Sequence, residues 1–381
     1  MNRRKFLALV GGGTILAAGG TVGAVALRVP TKALEPWAQA GSLYSEPRKR
    51  ALSFAILAPN PHNRQPWLVD LSQADTVVLT VDKNKMLPHT DPLNRQITIG
   101  LGCFLEVMTM AAAEQGFRVD LDLFPEGESA EVLDGRPVAV ARFTKDDTVA
   151  RDPLFAHVLD RRSLKEPYDM TRPVPNEAAQ RIVAAAKWGT SSIASVEPES
   201  IKRIRRITHD ALVIETETPR AFKESVDLFR IGKAEVEANP DGIDFSGPMF
   251  EVLHSAGLMT REAALDASSQ AFQAGFEAVL ANADTAMGHV WSVTRGNTRL
   301  DQIAAGRDWV RLNLTATAEG VATQPLSQAL QEYPEMADLY AQTHKLLAPQ
   351  GGTVQMLARL GYAASVPPSP RWPLEAKITG V

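Results

Sequence analysis

The chain has 381 residues, of which 45% are hydrophobic and 22% charged, and it contains one cysteine. This composition excludes a collagen, a disordered chain and a disulfide-stapled scaffold, and the length predicts about two domains or one large domain with two similar halves. Four of the 40 basic residues lie within the first 28 positions, so residues 29–381 carry eight more acidic than basic side chains. An acidic body without a Lys/Arg-rich run argues against nucleic acid as a partner, because binding to phosphates requires clustered bases.

The first 28 residues have the layout of an export segment. Arg3 and Arg4 precede Phe6-Leu7, and an uncharged run with six glycines extends over 6–27. This layout resembles a twin-arginine export signal with Ala24-Val25-Ala26 as a cleavage candidate. The same run is long enough to span a membrane as a helix, although six glycines weaken that reading. We therefore expect a periplasmic or extracytoplasmic protein that touches a membrane only through this segment, with an uncleaved anchor as the alternative.

The hydrophobic pattern of 29–150 predicts a first series of elements. In order, these are a helix over 48–58, a loop over 59–67 that launches a strand, a buried strand over 76–81, a buried helix over 97–115, and strands over 119–124 and 138–143. The second helix is apolar nearly all round but carries Glu106 and Glu114, which favours a central core helix over a membrane span.

A comparable series is predicted over 151–381. It comprises helices over 154–160, 177–186, 198–215, 261–280 and 306–320, a strand over 354–362, and a proline-rich tail over 366–373. Between them, 232–260 contains two clusters of Pro, Gly, Asn and Ser, and we predict an irregular lid or binding loop there. The alternation of helices and short strands predicts an α+β or α/β class.

Common catalytic motifs are missing from the sequence. No Gly-x-Gly-x-x-Gly follows a strand, and no Walker loop, His-Glu-x-x-His or Gly-x-Ser-x-Gly occurs. The seven histidines are isolated, without the spacing of metal ligands. Hydrolase and metalloenzyme interpretations therefore have no support.

Three short segments carry candidate chemistry. Residues 59–67 (Pro-Asn-Pro-His-Asn-Arg-Gln-Pro-Trp) form a proline-rigid loop. Residues 161–165 (Arg-Arg-Ser-Leu-Lys) combine cations and a hydroxyl in a compact anion grip, in which Arg161 can bind a phosphate with two parallel hydrogen bonds. Residues 368–373 (Pro-Ser-Pro-Arg-Trp-Pro) hold one arginine near the chain end. Taken singly, the three also fit a turn, a solvated helix end and a disordered tail.

Together these segments resemble the nitroreductase-like flavoprotein superfamily, and the whole chain is similar to its Acg-type branch. In that superfamily an Arg-x-Ser-x-Lys motif grips the phosphate and ring of FMN, and the matching positions are Arg161, Ser163 and Lys165. A Pro-Ser-Ser-x-Asn-x-Gln-Pro-Trp loop covers the flavin ring, and it is matched at Pro59, Asn63, Gln65, Pro66 and Trp67. Asn60 and Pro61 replace the two serines of that loop, so their side-chain donors are in question.

The resemblance implies further site residues. Leu360-Gly361-Tyr362 followed by Arg371 resembles the end of the superfamily fold, where a second arginine binds the phosphate. Leu326 and Ser327 belong to a segment that resembles the one whose backbone faces flavin N5. Arg95, just before the buried helix, is either a contact of the ribityl chain or ring edge, or a structural partner of the helix start.

The order of the motifs differs from that of the usual homodimer, in which the Arg-x-Ser motif comes before the asparagine loop. Here the loop begins about 100 residues before Arg161, and Gly189-Thr190-Ser191-Ser192 stands where a second loop would be expected. Glu35-Pro36-Trp37 also echoes Glu166-Pro167-Tyr168. We therefore predict an α+β fold, internally duplicated as a fused pseudo-dimer with halves 29–150 and 151–381, each contributing to an antiparallel-rich sheet flanked by helices. A monomer would then hold one flavin site between its halves.

The resemblance implies that FMN performs the redox step, with no dedicated catalytic side chain, while the protein supplies orientation, charge and a gate. Lys165 is the candidate for a positive charge near the flavin N1/O2 edge, and 232–260 the candidate lid. Because NAD(P)H is cytoplasmic, export would require a quinol or redox-protein donor for a small-molecule acceptor. We predict an exported FMN-dependent oxidoreductase. The alternatives are a flavin storage protein without turnover and a binding protein that has lost its flavin.

Overall fold

The computed structural model describes residues 29–129 and 131–380. The export segment predicted over 1–28 lies outside these residues. The described part contains twelve α-helices, numbered in chain order: α1 (Glu35–Gln39), α2 (Pro47–Ala55), α3 (Arg95–Ala113), α4 (Asn176–Ala184), α5 (Pro198–Glu217), α6 (Pro219–Asp227), α7 (Gly232–Ala238), α8 (Pro248–Ser255), α9 (Arg261–Leu265), α10 (Gln270–Asp284), α11 (Arg299–Ala318) and α12 (Ala337–Leu347).

The described residues also contain eleven strands: β1 (Trp67–Asp70), β2 (Thr76–Val81), β3 (Phe117–Leu123), β4 (Ala139–Lys145), β5 (Ser191–Ser195), β6 (Phe229–Ile231), β7 (Ile243–Phe245), β8 (Gly288–Thr294), β9 (Ala322–Pro325), β10 (Thr353–Gly361) and β11 (Ile378–Gly380). Helices and antiparallel strands are mixed along the chain, which confirms the α+β class predicted from the sequence.

Two antiparallel sheets have the same internal order. The first is β11-β1-β2-β4-β3 and the second is β5-β8-β10-β9. If the added edge strand β11 is set aside and the four strands of each sheet are numbered in chain order, both sheets have the order first, second, fourth, third. In each case one long helix, α3 or α11, connects the second strand to the third. The edge strand β11 pairs in parallel with β1, so the tail of the second half completes the sheet of the first.

The two long helices cross at a pair of glycines. A Cβ placed on Gly102 would lie 3.0 Å from the Cα of Gly306 and collide with the Ile303 carbonyl oxygen. A Cβ placed on Gly306 would collide in the same way with the Ile99 carbonyl oxygen. Only glycine permits this approach, because any side chain would hold the backbones apart. The contacts are reciprocal, as across a two-fold axis, and each isoleucine stands three residues before its own glycine.

The main hydrophobic core forms around this crossing and draws residues from both halves. Within the described residues, α3 is the helix whose length and mean hydropathy of 1.5 would suffice to cross a membrane, and 89% of its apolar window is buried in the fold. The predicted core helix is therefore confirmed. Glu106 is tolerated inside it because the guanidinium groups of Arg307 and Arg311 bind its carboxylate at 2.7 and 2.9 Å.

Three local predictions require correction. The stretch 232–260 is not irregular, because its turn residues separate α7, β7 and α8 rather than interrupting them. The helix predicted over 261–280 is two helices, with the side chain of Ser269 accepting from Phe272 N–H to cap α10. The helix predicted over 154–160 is a 3₁₀ turn, Pro153–His157. By contrast, the strand predicted over 76–81 has the bounds Thr76–Val81.

Candidate functional site

The loop over 59–67 has an unusual backbone held by one buried side chain. His62, Asn63 and Gln65 adopt left-handed conformations, with φ of 46, 52 and 51°, which surrounding contacts must maintain. The fully buried Gln65 supplies these contacts: its Nε2 donates to the Pro240 carbonyl at 2.7 Å and its Oε1 accepts from Trp372 N–H at 2.9 Å. The predicted cofactor residue Gln65 is therefore occupied in joining the loop to two distant segments.

The two asparagines of this loop are also engaged with protein. Asn60 Oδ1 accepts from Gln65 N–H at 2.7 Å, so Asn60 stabilises the turn that a serine would otherwise form. Asn63 Nδ2 donates to the Pro370 carbonyl at 3.0 Å, and its Oδ1 accepts from Arg371. Pro61 and Asn60 pack on the bare backbone of Gly100 in α3. The loop is thus fixed to the central helix on one side and to the tail on the other.

Arg161 and Arg371, 210 positions apart in the sequence, meet at one carbonyl group. Each donates to the Leu57 oxygen at 3.1 Å, from Nη2 in both cases. Arg161 also donates to Asn313 Oδ1 at 3.2 Å, and Arg371 to the Ala58 carbonyl at 3.2 Å. The structure therefore brings together the two arginines that the resemblance assigns to a phosphate.

The charges of these two arginines are not compensated. They are 5% and 2% exposed, and within the described residues neither forms an ion pair with a carboxylate. Burial lowers the pKa of Arg161 to about 10. It also lowers the pKa of Arg371 well below its usual value, with further lowering from Arg161 and Arg162. Nor does the buried Nε of Arg371 have a hydrogen-bond partner in the part of the chain that the structure describes. An arrangement of this kind is costly until an anion neutralises it, so the residues present fit a phosphate group.

The second half holds the backbone of the 161–168 segment. Leu164 N–H donates to the Thr323 carbonyl on β9 at 2.9 Å, and Asn282 Nδ2 donates to the Lys165 carbonyl at 3.1 Å. The Arg359 guanidinium stacks over the Tyr168 ring at 3.6 Å. Ser163 is half-buried, and in the described part of the chain its hydroxyl makes no hydrogen bond. This hydroxyl is therefore available to a ligand beside Arg161.

Lys165 lies close to both Asp244 and His62 next to this segment, and the surface that these three residues border is called the cleft. Lys165 is exposed to solvent, yet surrounding protein atoms lower the pKa of its ammonium, while Asp244 opposes the shift. Burial raises the pKa of Asp244. Burial also lowers the pKa of His62 to about 4, with smaller contributions from Lys165 and Arg64. A side chain that is accessible to solvent and is also surrounded by protein atoms lies in a concave part of the surface. Asp244, on β7, brings the predicted lid segment to that surface.

The remaining predicted residues lie nearby or are committed elsewhere. Leu326 is buried and its N–H donates to the Leu357 carbonyl at 2.9 Å, so that donor serves the sheet rather than a ligand. Ser327 Oγ donates to the same carbonyl at 3.3 Å. Pro59 ends the segment that begins with the shared Leu57 carbonyl and therefore stands beside the two arginines.

Arg95 has a structural environment. Its guanidinium donates to the Gln355 carbonyl at 2.7 Å and to the Leu330 carbonyl at 2.5 Å, and pairs with Glu332 at 3.3 Å. All these partners belong to the second half, and no described contact joins Arg95 to the paired arginines. Arg299 stands at the same position of α11, seven residues before its glycine, and donates to the Glu131 carbonyl of the first half at 2.7 Å. The hydrogen bonds of Arg95 therefore favour a role as a structural partner of the helix start over a contact with the ribityl chain or ring edge.

Sequence reasoning missed several supporting residues. Asn313 orients Arg161, and its side chain also contacts Thr323 on β9. The sequence feature that could have identified Asn313 is its polar side chain seven positions after Gly306, within a run of buried residues on α11. Asp241, which follows Pro240, is 1% exposed and binds Lys85, Arg230 and Arg64 at 2.5, 2.7 and 3.3 Å. This cluster fixes the lid segment to the asparagine loop.

The fold and the candidate site define an α+β protein in which two buried, uncompensated arginines from distant parts of the chain meet at one carbonyl group. Comparison with known proteins gives this class a family context, although no family model matches the chain. A Mycobacterium tuberculosis protein named as an NAD(P)H nitroreductase is 27% identical over 336 residues, covering 86% of this chain and 89% of that relative. The Acg protein of the same organism, also named as an NAD(P)H nitroreductase, is 30% identical over 122 residues, covering 32% of this chain and 37% of Acg.

Two solved structures share a weaker similarity with the chain. A nitroreductase from Anabaena variabilis has 11% identity and a TM-score of 0.37, with 93% of both chains covered. The FMN-dependent nitroreductase NfnB from Mycobacterium smegmatis, solved in complex with NADPH, has 19% identity and a TM-score of 0.33, with 57% of this chain and 92% of NfnB covered. The names of the relatives support the nitroreductase-like superfamily and an oxidoreductase.

Proposed function

We propose that the protein is an FMN-dependent oxidoreductase of nitroreductase type, in which Arg161 and Arg371 bind the flavin phosphate. The observation that carries the proposal is the pair of buried guanidinium groups on one carbonyl oxygen without a compensating carboxylate. The motif match at Arg161, Ser163 and Lys165 and the names of the relatives support it independently. FMN, when bound, supplies hydride or electron transfer.

The site belongs, in this proposal, to the interface of a fused pseudo-dimer. The shared strand order of the two sheets and the reciprocal helix crossing support a duplication. A short repeat adds to this: Arg-x-Pro-Leu occurs at 371–374 after the last strand of the second sheet and at 151–154 after the last strand of the first. Each copy leads into a 3₁₀ turn, Leu374–Lys377 or Pro153–His157.

The equivalent position in the other copy explains why we propose one flavin per chain. A cleft of about 390 Å³ borders 150–154, α4 and α11. In this cleft Asp152 takes the place of Trp372 and binds Arg311 at 2.6 Å, and Glu106 binds the same guanidinium at 2.9 Å. Here the buried arginine is already neutralised. It therefore lacks the unsatisfied charge that favours a phosphate beside Arg161.

The surrounding residues orient and enclose the ring. In the proposal Lys165 places a positive charge at the ring edge, the loop over 59–65 covers one side, and Asp244 on the lid segment faces Lys165 from the other. The residues assigned to this site are Pro59, Asn60, Pro61, Asn63, Gln65, Arg161, Ser163, Lys165, Leu326, Ser327 and Arg371. We further propose that the protein belongs to the Acg-type branch, is exported by the twin-arginine route, and passes electrons from a quinol or redox protein to a small acceptor.

One observation favours flavin storage as a second candidate function. The lid segment is clamped, because Asp241 is bound by three bases and Pro240 accepts from Gln65. A segment held in this way obstructs the exchange of a second substrate more than a mobile loop would. Storage and turnover predict the same bound flavin but different reduction behaviour.

The test is the visible spectrum of the purified protein under anaerobic conditions. Bound FMN that is bleached by dithionite and, in a separate sample, by a quinol analogue or NADPH supports the oxidoreductase. Bound FMN that only dithionite bleaches supports storage. The double variant Arg161→Met, Arg371→Met should lose FMN while keeping its circular dichroism spectrum. Stoichiometric flavin retained in that variant would remove the assignment of the phosphate site, and absence of flavin bands in the wild type after FMN addition would remove the proposal.

A further inference from the structure

A line of polar side chains leads from the cleft into the second half. His62 Nε2 lies 3.0 Å from Ser225 Oγ on α6, and Ser225 Oγ lies 3.3 Å from Glu215 Oε1 on α5. Ser225 and Glu215 are 7% and 8% exposed. The left-handed backbone of His62 turns its ring toward α6 instead of leaving it in the loop. A hydrogen-bonded chain therefore connects the cleft surface to a buried carboxyl group.

The inner end of this chain has an unfilled hydrogen-bonding capacity. Among the residues that the structure describes, Glu215 Oε2 is buried without a hydrogen-bond partner. The charged or titratable groups that face Glu215 are Glu224 and Tyr333, and neither is a cation. Arg220 lies over the Tyr333 ring at 5.7 Å, but its guanidinium is paired with Glu335 at 2.6 Å. Burial above all, with Glu224, raises the pKa of Glu215 to about 7, against hydrogen bonds from Gln331 and Ser225. The neutral acid is thus available near neutral pH.

The outer end is neutral as well. The groups that face His62 are the cations Lys165 and Arg64, and burial together with these charges keeps the imidazole unprotonated above about pH 4. A neutral imidazole has one donor and one acceptor nitrogen. Ser225 Oγ donates to the ionised Glu215 carboxylate, whereas a neutral Glu215 can donate its own proton to Ser225 Oγ. The single Ser225 proton then goes to His62 Nε2, and the remaining ring N–H is at Nδ1. The chain can then transfer a proton in one direction without placing a second charge beside Lys165.

We propose that Glu215, Ser225 and His62 form a proton relay that protonates the electron acceptor bound in the cleft. The proposal rests on the function proposed above. A quinone- or nitro-type acceptor that receives a hydride from the reduced flavin of that function also needs one proton on oxygen. The His62 Nδ1–H bond breaks as the acceptor O–H bond forms, Nε2 takes the proton of Ser225 Oγ, and Ser225 Oγ takes the proton of Glu215. Two steps restore the starting state: the Glu215 carboxylate takes up one proton from solvent, and the His62 proton moves from Nε2 back to Nδ1 by exchange with solvent.

The first test needs neither flavin nor turnover. Side-chain carboxyl NMR across pH should show Glu215 titrating near neutral pH, and ring ¹⁵N shifts should show His62 as the Nδ1–H tautomer. Ser225→Ala should lower the share of that tautomer, because Nε2 loses its donor. His209→Gln, on the outer side of α5 where His209 meets Asp284 at 3.0 Å, should leave both signals unchanged. Titration of Glu215 near its ordinary pH range, or an Nε2–H tautomer in the wild type, would overturn the relay.

The second test measures reoxidation of the dithionite-reduced protein by a small quinone in stopped flow. Glu215→Gln and Ser225→Ala should each slow this step at least tenfold at pH 6 and remove its pH dependence, while the dissociation constant of FMN stays within twofold. Glu217→Gln, an exposed carboxyl on the same helix, is the matched control. An unchanged pH profile in both variants would overturn the relay. Failure of the wild type to bind FMN would instead overturn the proposed function, and the NMR result would still decide whether the hydrogen-bonded chain exists.

Discussion

Replacement of Arg371 by methionine separates charge recognition from folding at this site. In the free protein the two guanidinium groups share one carbonyl oxygen, each at 3.1 Å. The two donating nitrogens are therefore within about 6 Å of each other, and two unit charges at that separation repel by roughly 3 kcal/mol at an effective dielectric constant of about 20. Five acceptors lose their Arg371 donor in the variant, at roughly 1 kcal/mol each: the Leu57, Ala58 and Pro370 carbonyls, Asn63 Oδ1 and Ser369 Oγ. Because these losses outweigh the relieved repulsion, we expect the free energy of unfolding of the flavin-free protein to fall by roughly 2 kcal/mol.

Binding of FMN should respond very differently. A phosphate removes the repulsion in the wild type and gains charge-assisted hydrogen bonds worth about 1.5–3 kcal/mol each, both of which the variant forgoes. With one such hydrogen bond, the two terms together amount to about 4.5–6 kcal/mol, which corresponds to a dissociation constant for FMN raised by more than roughly 1,000-fold. Riboflavin has the same ring without the phosphate, and its affinity should change less than threefold.

The assay is quenching of flavin fluorescence at fixed ionic strength, run with FMN and with riboflavin on the same protein. Arg136→Met is the matched control, since Arg136 lies in an exposed loop and pairs with Asp134 at 2.8 Å. A variant that binds FMN as tightly as the wild type would refute the phosphate assignment. Equal losses for FMN and riboflavin would refute the charge argument and show that Arg371 acts only by holding the loop.

Three further predictions address the scaffold and the cleft. Gly102→Ala should destabilise the fold by about 2–4 kcal/mol, because the new Cβ disturbs the helix crossing. Gly275→Ala in α10, where a Cβ meets no atom within 4 Å, should be neutral or stabilise the fold by up to about 1 kcal/mol. Urea unfolding at pH 7 compares the two variants, and equal midpoints would contradict the close approach of the helices. Burial opposes the ionisation of Asp241, but its bound bases outweigh burial and lower its pKa. The stability that Asp241 contributes is therefore full above its unfolded pKa and is lost as pH falls through the lower folded pKa, so unfolding curves between pH 6 and 2 should be less pH-dependent in Asp241→Asn. Lys165→Met should retain FMN but lower the reduction potential of the bound flavin in a dye-equilibration titration, and an unchanged potential would place Lys165 away from the ring.

The hydrophobic pattern of the sequence predicted those elements whose burial is visible within the element itself. The all-round apolar run of α3 and the β-branched run of β2 identify buried elements wherever the chain goes next. Strand β5 has the sequence Ser-Ser-Ile-Ala-Ser and no such pattern, since its place in the sheet is fixed by pairing with β8. The lid was wrongly predicted to be irregular for the converse reason, as its turn residues mark the ends of short elements rather than their absence.

Site residues that belong to a short sequence motif could be predicted. Site residues whose role depends on contacts with residues distant in the sequence could not. Arg161 and Arg371 were identified from short segments, and their meeting at Leu57 follows from the fold. Whether a buried arginine serves a ligand or the scaffold depends on its partners, and the sequence of Arg95 left both readings open. Asn313 and Asp241 had no motif at all, because their importance arises from the groups that the topology places around them.

We propose that a duplicated architecture explains why the relay and the phosphate site occur on one side only. In a two-fold homodimer every substitution appears in both sites, so neither site can change alone. In a fused chain the halves diverge independently: β1 and β2 are joined by 71–75, whereas β5 and β8 are joined by 196–287, which carry α5 to α10. That insertion supplies Ser225, Glu215 and Asp244, all of which meet the loop or cleft of one site. The other copy has no comparable insertion and holds Asp152 against Arg311 instead. In this proposal, the asymmetry that changes the order of the motifs along the chain is also what allows one site to acquire its own proton relay and lid.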